Sequence, residues 1–282
     1  VDISAKVKLE TPTDDYDTAY KEDWLTAGTT TFLWTFKTAN AAHQMKSLDT
    51  DGNEPLLSTY TQTNVNVVAA PAVKLQILLP GESAVAGDTA NNGRSGSPDS
   101  QTAGNQFTVT ANSVDENFNV SYSTERVRVI SNDTNAPGPW TRDLVNGTTI
   151  VPLILVTSGY TTVTLEDTDV LRPDITYISD SRALSVVSNT AAKLLILCPG
   201  ETHKPGTSAG KTGTPTTQTA GKTFMATCYG TDAWYNITST NAIVRFSCDD
   251  PYDRYSGNDY IDLSLSAGTT YYPALLRTVN DS

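Results

Sequence analysis

The 282-residue chain has few of the side chains that carry covalent, redox or metal chemistry, with two histidines, three cysteines and two methionines. It contains no His-x-Glu, His-x-x-x-His or Cys-x-x-Cys spacing of the kind that holds a transition metal. It also has no run of 18 apolar residues, so we expect no membrane-spanning segment. We therefore predict that the protein is not an enzyme, with no catalytic residue and no cofactor-binding residue.

Charged residues are also scarce, at 18% of the chain, and they are unbalanced, giving a formal net charge of −12. An acidic surface repels nucleic acid and anionic membranes. We therefore expect no nucleic-acid partner.

The most informative feature of the sequence is an internal repeat. The segment KLQILLPGE at Lys74 returns as KLLILCPGE at Lys193, and LVNGTT at Leu144 returns as LSAGTT and as LTAGTT. The glycines of this last motif, Gly28, Gly147 and Gly268, are 119 and 121 residues apart. The chain therefore holds three copies of a repeat of about 120 residues.

Two Gly-Lys-Thr sequences, at Gly210 and Gly221, superficially resemble the end of a phosphate-binding P-loop. A P-loop needs a small residue five places earlier, and these places hold Pro205 and Thr216. In the preceding copy the matching residues are Arg94 and Ser95, so the lysine is not part of the repeat. We expect no nucleotide binding.

The apolar segments are short and rich in Val, Ile, Leu and Thr. Apolar and polar residues alternate in FTVTANSV (from Phe107) and TTVTLED (from Thr161), a pattern typical of half-buried antiparallel strands. About seven strands per copy predict an all-β fold of tandem β-sandwiches with little helix. The predicted interior residues of the middle copy are Phe107, Val109, Val127, Val129, Leu153, Leu155, Val163 and Leu165.

FTVTANSVDENFN (Phe107 to Asn119) and FMATCYGTDAWYN (Phe224 to Asn236) resemble the tandem bacterial immunoglobulin-like repeats of invasin- and intimin-type surface proteins. In that family a strand runs into an Asp and a turn closes on an Asn, as at Asp115 with Asn119 and Asp232 with Asn236. The Gly usual before the closing Asn is replaced by Phe118 or Tyr235. The resemblance implies immunoglobulin-like β-sandwiches with an extracellular or cell-surface, non-enzymatic role.

Only the middle copy is complete. We expect a partial repeat at 1–71 with the C-terminal strands only, a complete repeat at 72–191, and a partial repeat at 192–282 without its last strands. Incomplete sandwiches expose sheet edges and apolar faces. Either the chain is a window on a longer array, or neighbouring chains supply the missing strands. We expect Leu9, Phe32 and Trp34 at one end, and Leu263, Leu265 and Leu275 at the other, to be buried by such contacts.

Two loops combine carboxylates with tyrosines and are candidate interaction loops near those contacts. Their residues are Asp14, Asp15, Tyr16, Asp17 and Tyr20 in the first copy, and Asp249, Asp250, Tyr252, Asp253 and Tyr255 in the third. The alternative is a solvated acidic loop with packing aromatics. Calcium is a possible cofactor, because carboxylates cluster at five candidate ligands, Asp49, Asp51, Asp249, Asp250 and Asp253; no other metal site is expected.

Modification sites are also predicted. Sequons occur at Asn119, Asn132, Asn146, Asn236 and Asn280. Because Asn119 and Asn236 hold equivalent positions on a predicted surface turn, they are the best glycosylation candidates. Cys228 and Cys248 lie near the ends of consecutive strands, so a disulfide is as plausible as three buried thiols.

These features favour an extracellular structural protein that associates with itself head to tail, as a subunit or segment of a filament, sheath, surface layer or stalk. An adhesin that binds a glycan or a cell-surface receptor is the alternative. A third reading is an accessory domain string of a secreted polysaccharide-degrading enzyme.

Overall fold

The computed structural model describes residues 5–17, 19–53, 56–168, 177–253 and 260–279. Over these residues it contains 21 β-strands and no helix, so the all-β prediction is confirmed. Accordingly, the described part of the chain has no helix that could cross a membrane. Every sheet lies within one copy of the repeat.

The first copy forms one sheet. Its strands are β1 (Lys6–Glu10), β2 (Lys21–Trp24), β3 (Asn40–Asp49) and β4 (Tyr60–Val67), in the order β2-β1-β3-β4 with antiparallel pairing throughout.

The middle copy forms two larger sheets and a small hairpin. Its strands are β5 (Lys74–Leu78), β6 (Glu82–Ala84), β7 (Arg94–Gly96), β8 (Gln101–Thr102), β9 (Gln106–Val114), β10 (Arg126–Ser131), β11 (Trp140–Asp143), β12 (Thr148–Ile154), β13 (Gly159–Asp167) and β14 (Asp180–Val187). The sheet orders are β11-β10-β13-β14-β8 and β12-β9-β5, while β6 and β7 pair with each other.

The two large sheets of the middle copy enclose one core, as in a β-sandwich. Seven of the eight residues predicted to lie inside are at most 1% exposed: Val109, Val127, Val129, Leu153, Leu155, Val163 and Leu165. The eighth, Phe107, is partly buried and packs against the same core.

The third copy has counterparts of seven of these ten strands. Its strands are β15 (Lys193–Leu197), β16 (Glu201–His203), β17 (Lys211–Gly213), β18 (Thr223–Thr231), β19 (Ile243–Phe246), β20 (Ile261–Ser264) and β21 (Thr269–Leu275). They form a sheet β15-β18-β21 and two hairpins, β16-β17 and β19-β20. Counterparts of β13 and β14 are absent from its described residues.

The outer copies leave apolar surface open in different ways. In the first copy, residues 30–37 align with β12 but belong to no sheet, and Phe32 and Trp34 are half-buried while Leu33 is 83% exposed. In the third copy, Leu194 and Ile196 are 58% and 45% exposed.

The predicted contact face of the third copy needs correction. Leu265 is 2% exposed, because it packs in the small core of its own copy with Val244, Phe246 and Tyr272. Leu263 and Leu275 are half-buried. The open apolar surface lies instead on β15, at Leu194 and Ile196.

Candidate functional site: the junctions between copies

The Asp-x-x-x-Asn turns follow the long strands β9 and β18. In the middle copy, Asp115 Oδ1 accepts hydrogen bonds from the backbone N–H groups of Asn117 (2.8 Å) and Asn119 (3.0 Å). In the third copy, Asp232 Oδ1 accepts from Trp234 (2.8 Å) and Asn236 (2.9 Å). An aspartate that accepts from the N–H two residues on forms an Asx turn, which is why this residue type suits the position. We call these two segments, residues 115–119 and 232–236, the clamp turns.

The first clamp turn holds the copy that precedes it. Asn119 Oδ1 accepts the N–H of Ala39 (2.7 Å), and Asn119 Nδ2 donates to the carbonyl of Lys37 (3.0 Å). Asp115 Oδ2 accepts the N–H of Ala70 in the segment that joins the copies (3.0 Å). One Asp–Asn pair thus fixes both the neighbouring copy and the linker.

The second clamp turn repeats these contacts between the middle and third copies. Asn236 Oδ1 accepts the N–H of Ser158 (2.7 Å), and Asn236 Nδ2 donates to the carbonyl of Val156 (2.9 Å). Asp232 Oδ2 accepts the N–H of Asn189 in the linker (2.9 Å). The same atoms therefore make the same bonds at both junctions.

An aspartate in the preceding copy shapes the segment that the clamp turn grips. Asp14 Oδ2 accepts the N–H groups of Lys37 (2.7 Å) and Thr38 (3.3 Å). Asp133 Oδ2 does the same with Val156 (2.7 Å) and Thr157 (2.9 Å). We call residues 37–39, 156–158 and their counterpart 277–279 the receiver segments.

The third receiver segment is held in the same way. Asp250 Oδ2 accepts the N–H groups of Arg277 (2.5 Å) and Thr278 (3.0 Å), and Asp250 Oδ1 accepts that of Tyr252 (2.9 Å). These bonds, that of Thr278 first, lower the pKa of Asp250 from its ordinary 3.8 to about 2.

A glycine completes each junction because it allows close approach. A Cβ on Gly87 would lie 2.5 Å from Thr38 Cγ2 and 2.6 Å from Tyr16 Cδ2. A Cβ on Gly206 would lie 2.0 Å from Thr157 Oγ1 and 2.8 Å from Asn135 Nδ2. Both glycines also have positive φ, of 84° and 78°, which other residues rarely adopt.

The predicted interaction loop of the first copy is divided between two settings. Asp14 is 2% exposed and Tyr16 lies against Gly87, so these residues belong to the inner junction rather than to the outer end of the copy. Asp15, Asp17 and Tyr20 line an open cavity of about 340 Å³ together with Glu10 and Lys8, and Asp14 also contributes to its wall. The placement of the whole loop at an outer contact was therefore wrong.

In the third copy, Asp250 is buried and holds the receiver segment, whereas Asp249 and Tyr252 are exposed. Asp253 Oδ2 accepts a hydrogen bond from the thiol of Cys248 (3.2 Å). Tyr255 lies outside the described residues.

The calcium candidates bind backbone groups within their loops. Asp49 Oδ2 accepts from Leu57 N–H (2.9 Å), and Asp51 accepts from Lys6 N–H (3.1 Å) and Asn53 N–H (2.9 Å). Across the described residues, no three His, Cys, Asp or Glu side chains come together in a way that could hold a metal ion. Calcium binding by these carboxylates stays a prediction.

Two of the predicted glycosylation sites, Asn119 and Asn236, are buried. Asn119 and Asn236 are 5% and 0% exposed and their amide nitrogens are hydrogen-bonded at the junctions, so the expectation of an exposed turn was wrong. A glycan needs an accessible amide nitrogen. Asn132 and Asn146 are exposed and remain the accessible candidates, and Asn280 lies outside the described residues.

The cysteines form no disulfide. Cys228 is buried, Cys198 is half-buried and Cys248 is exposed, and all three are unpaired. Burial raises the pKa of the Cys228 thiol, which keeps it protonated. The possible Cys228–Cys248 bridge is therefore not formed, and only one of the three thiols is buried.

The Gly-Lys-Thr segment at Gly210 enters the short strand β17, not a helix. Lys211 Nζ lies 2.8 Å from Glu201 Oε1 and 3.2 Å from the carbonyl of Ile196. These partners account for the charge of the lysine within its own hairpin.

No protein-family model matches the chain, and no curated protein matches it. Among solved structures, it is similar to the S-layer protein rSbsC, with a TM-score of 0.29 and 15% identity over 95% of this chain and 30% of that one. It is also similar to domains 4-9 of surface layer protein SbsC, with a TM-score of 0.28 and 18% identity over 84% of this chain and 35% of that one. A third similar structure is E. coli alpha-2-macroglobulin in its native conformation, with a TM-score of 0.30 and 11% identity over 98% of this chain and 19% of that one. The chain thus spans about a third or less of these proteins, and TM-scores of this size do not establish a shared fold.

Proposed function

We propose that this chain is a non-enzymatic, extracellular structural protein that associates head to tail with copies of itself. It would serve as a subunit or segment of a surface layer, filament, sheath or stalk built from immunoglobulin-like repeats. The proposal rests on the chain's own contacts, namely the repeated junctions and the open apolar surfaces of the outer copies.

The junctions suit a protein that must keep its length. In each junction one buried Asp–Asn pair holds linker, turn and receiver segment, and all four polar side-chain atoms of the pair make hydrogen bonds. Buried hydrogen-bonded networks of this kind fix one arrangement of the groups they join. Such coupling makes a row of copies behave as a continuous rod.

The open surface of the third copy is the observation that carries the proposal of self-association. Leu75 and Ile77 on β5 are 2% and 0% exposed, whereas their counterparts Leu194 and Ile196 on β15 are 58% and 45% exposed. In the middle copy β13 and β14 contact β5. A neighbouring chain that adds strands at this place would remove apolar surface from water.

The first copy offers a complementary opening. Residues 30–37 align with β12, which pairs along its length with β9, but they have no strand partner among the described residues. Phe32 and Trp34 on this segment are only half-buried, and Leu33 between them is 83% exposed. Two different open surfaces at opposite ends favour a head-to-tail contact, which propagates unless it closes into a ring.

Sedimentation velocity over a range of concentrations tests this proposal. The intact chain should form larger species as its concentration rises, and Trp34→Asp should raise the apparent dissociation constant at least about tenfold, equivalent to 1.4 kcal/mol. Tyr122→Asp is the control, because Tyr122 is 73% exposed and belongs to the middle copy, outside both open surfaces, so this variant should associate like the unmodified chain. Ile196→Asp tests the open surface of the third copy and should likewise weaken association, and because Ile196 is 45% exposed the substitution does not disturb a closed core. A folded chain that stays monomeric at every concentration would contradict the proposal.

An adhesin is the second candidate, favoured by the open acidic cavity of the first copy. Carboxylates and a tyrosine at Glu10, Asp15 and Tyr20 can bind the hydroxyl groups and apolar faces of a sugar. Binding to a panel of immobilised glycans, lost on Tyr20→Ala but unaffected by Trp34→Asp, would favour the adhesin. Equal binding by both variants, or none, would count against it.

A further inference from the structure

The third receiver segment carries the same polar groups as the two that are already gripped. Asp250 holds residues 277–279 by their first two N–H groups, as Asp133 holds residues 156–158. The receiver segment in each case directly follows the last strand that pairs with the long strand of its copy. Its backbone is thus set in position before any neighbour binds.

The two groups that a clamp turn would use are unoccupied at this third position. In the inner junctions, the first carbonyl and the third N–H of the receiver segment bind the clamp asparagine. In residues 277–279, these groups are the carbonyl of Arg277 and the N–H of Val279. Neither makes a hydrogen bond within the described residues, and both residues are exposed.

The surface that meets the junction glycine is also repeated. Thr38 and Tyr16 touch Gly87, and Thr157 and Asn135 touch Gly206. The equivalent residues of the third copy are Thr278 and Tyr252, which are both exposed. The third copy therefore has the receiving half of the inner contact, namely the segment held by an aspartate, the two backbone groups and the surface that meets the glycine. The clamp turn and the glycine would come from another copy.

We propose that residues 277–279 receive the Asp-x-x-x-Asn clamp turn of a further repeat copy, with its junction glycine against Thr278 and Tyr252. This deepens the proposed structural function and rests on it. The clamp turns at 115–119 and 232–236 are already engaged inside this chain. The partner is therefore a copy with a free clamp turn, and each added copy would extend the row by the geometry of the inner junctions.

A tandem duplication of residues 159–279 tests the proposal. The extended chain runs through residues 1–279 and continues with residues 159–282, so the third copy gains the sequences of β13 and β14 and is followed by a second copy with a clamp turn. Amide hydrogen exchange, measured by NMR in dilute monomeric samples, should slow at Val279 at least about tenfold relative to the original chain. The rate should approach that of Ser158, whose N–H is already bound.

The matched control is Asn236→Ala introduced only in the duplicated segment, which should return Val279 to its original rate and leave Ser158 unchanged. An extended chain with a folded final copy and an unprotected Val279 would overturn the proposal. So would a final copy that fails to fold, because the same sequence folds after the inner receiver segment. Since these samples are monomeric, a failure of self-association in sedimentation would leave this measurement unaffected, so failure of the inference can be distinguished from failure of the proposed function.

Discussion

At the residue scale, three aspartates at equivalent positions each hold one of the receiver segments. Asp14, Asp133 and Asp250 are 2%, 8% and 9% exposed, and each accepts two successive backbone N–H groups. At Asp250 these hydrogen bonds favour the charged form and lower the pKa of its carboxyl. The acidic clusters of the loops therefore have a structural explanation at their most buried member.

Asp250 provides a prediction about pH. Its pKa is about 2 in the folded chain against an ordinary value of 3.8, so the stability that its ionised form contributes is complete above pH 3.8 and is lost as the pH falls through 2. The amide proton shifts of Arg277 and Thr278 should titrate with a midpoint near 2. Asp250→Asn should abolish this titration, and a midpoint near 4 in the unmodified chain would contradict the assigned hydrogen bonds.

The clamp residues illustrate how far the sequence alone could predict the site. The repeat and the resemblance to bacterial immunoglobulin-like repeats placed Asp115, Asn119, Asp232 and Asn236 in turns, and the structure has turns there. The prediction that Asn119 and Asn236 are exposed was wrong, because the pattern within one copy does not indicate which face of a turn contacts the neighbouring copy. The equivalence of Asp14, Asp133 and Asp250 was visible as a 119- and 117-residue spacing, but the backbone groups they bind lie more than twenty residues away.

At the element scale, each junction is a turn of one copy bound to the receiver segment of the copy before it. The asparagine side chain accepts one N–H and donates to one carbonyl, as a neighbouring strand would. Both of its partners would be left without a hydrogen bond if the amide were removed. The junction therefore depends on one side chain more than on the area of contact.

Asn236→Ala should destabilise the chain by about 1–3 kcal/mol, the range for leaving buried polar groups unsatisfied. Urea unfolding measures this change, and faster amide exchange at Ser158 would locate it at the junction. Asn132→Ala is the control, because Asn132 is exposed and water can replace its contact with the N–H of Thr162. Equal effects of the two substitutions would mean that the clamp does not couple the copies.

In the middle copy, the alternation of apolar and polar residues from Phe107 and from Thr161 predicted the long strands β9 and β13. The short strands β6, β7, β8 and β11 were missed because two to four residues carry too little periodicity. The sequence predicted that the third copy would expose apolar surface because it lacks strands, but it did not predict that this surface lies on β15. Its position depends on which side chains of β15 face the place that β13 and β14 occupy in the middle copy, and this follows only from the register of the sheet.

Equivalent isoleucines in β5 and β15 allow a direct comparison. Ile77→Ala should cost about 2–5 kcal/mol, because Ile77 is fully buried and its removal leaves a cavity. Ile196→Ala should cost about 1 kcal/mol or less in dilute solution, since its side chain is already 45% exposed. Denaturant unfolding of both variants tests this, and the Ile196→Ala variant should in addition associate more weakly than the unmodified chain. Similar stability losses at both positions would show that the third copy has a closed core.

At the scale of the whole molecule, three copies of one repeat are joined by two junctions that use the same atoms. The outer copies differ from the middle one in having open surfaces, and the two openings are not alike. The net charge of −12 opposes contact between chains. Association should therefore strengthen as salt screens this repulsion, which distinguishes it from contacts driven by opposite charges.

Small-angle X-ray scattering over a concentration series at moderate salt tests the central claim most directly, because it reports length and thickness separately. Head-to-tail association through the outer copies predicts that the maximum dimension grows with concentration while the cross-sectional radius stays that of one chain. A maximum dimension that does not change with concentration, or a cross-section that thickens as the particles grow, would contradict the account.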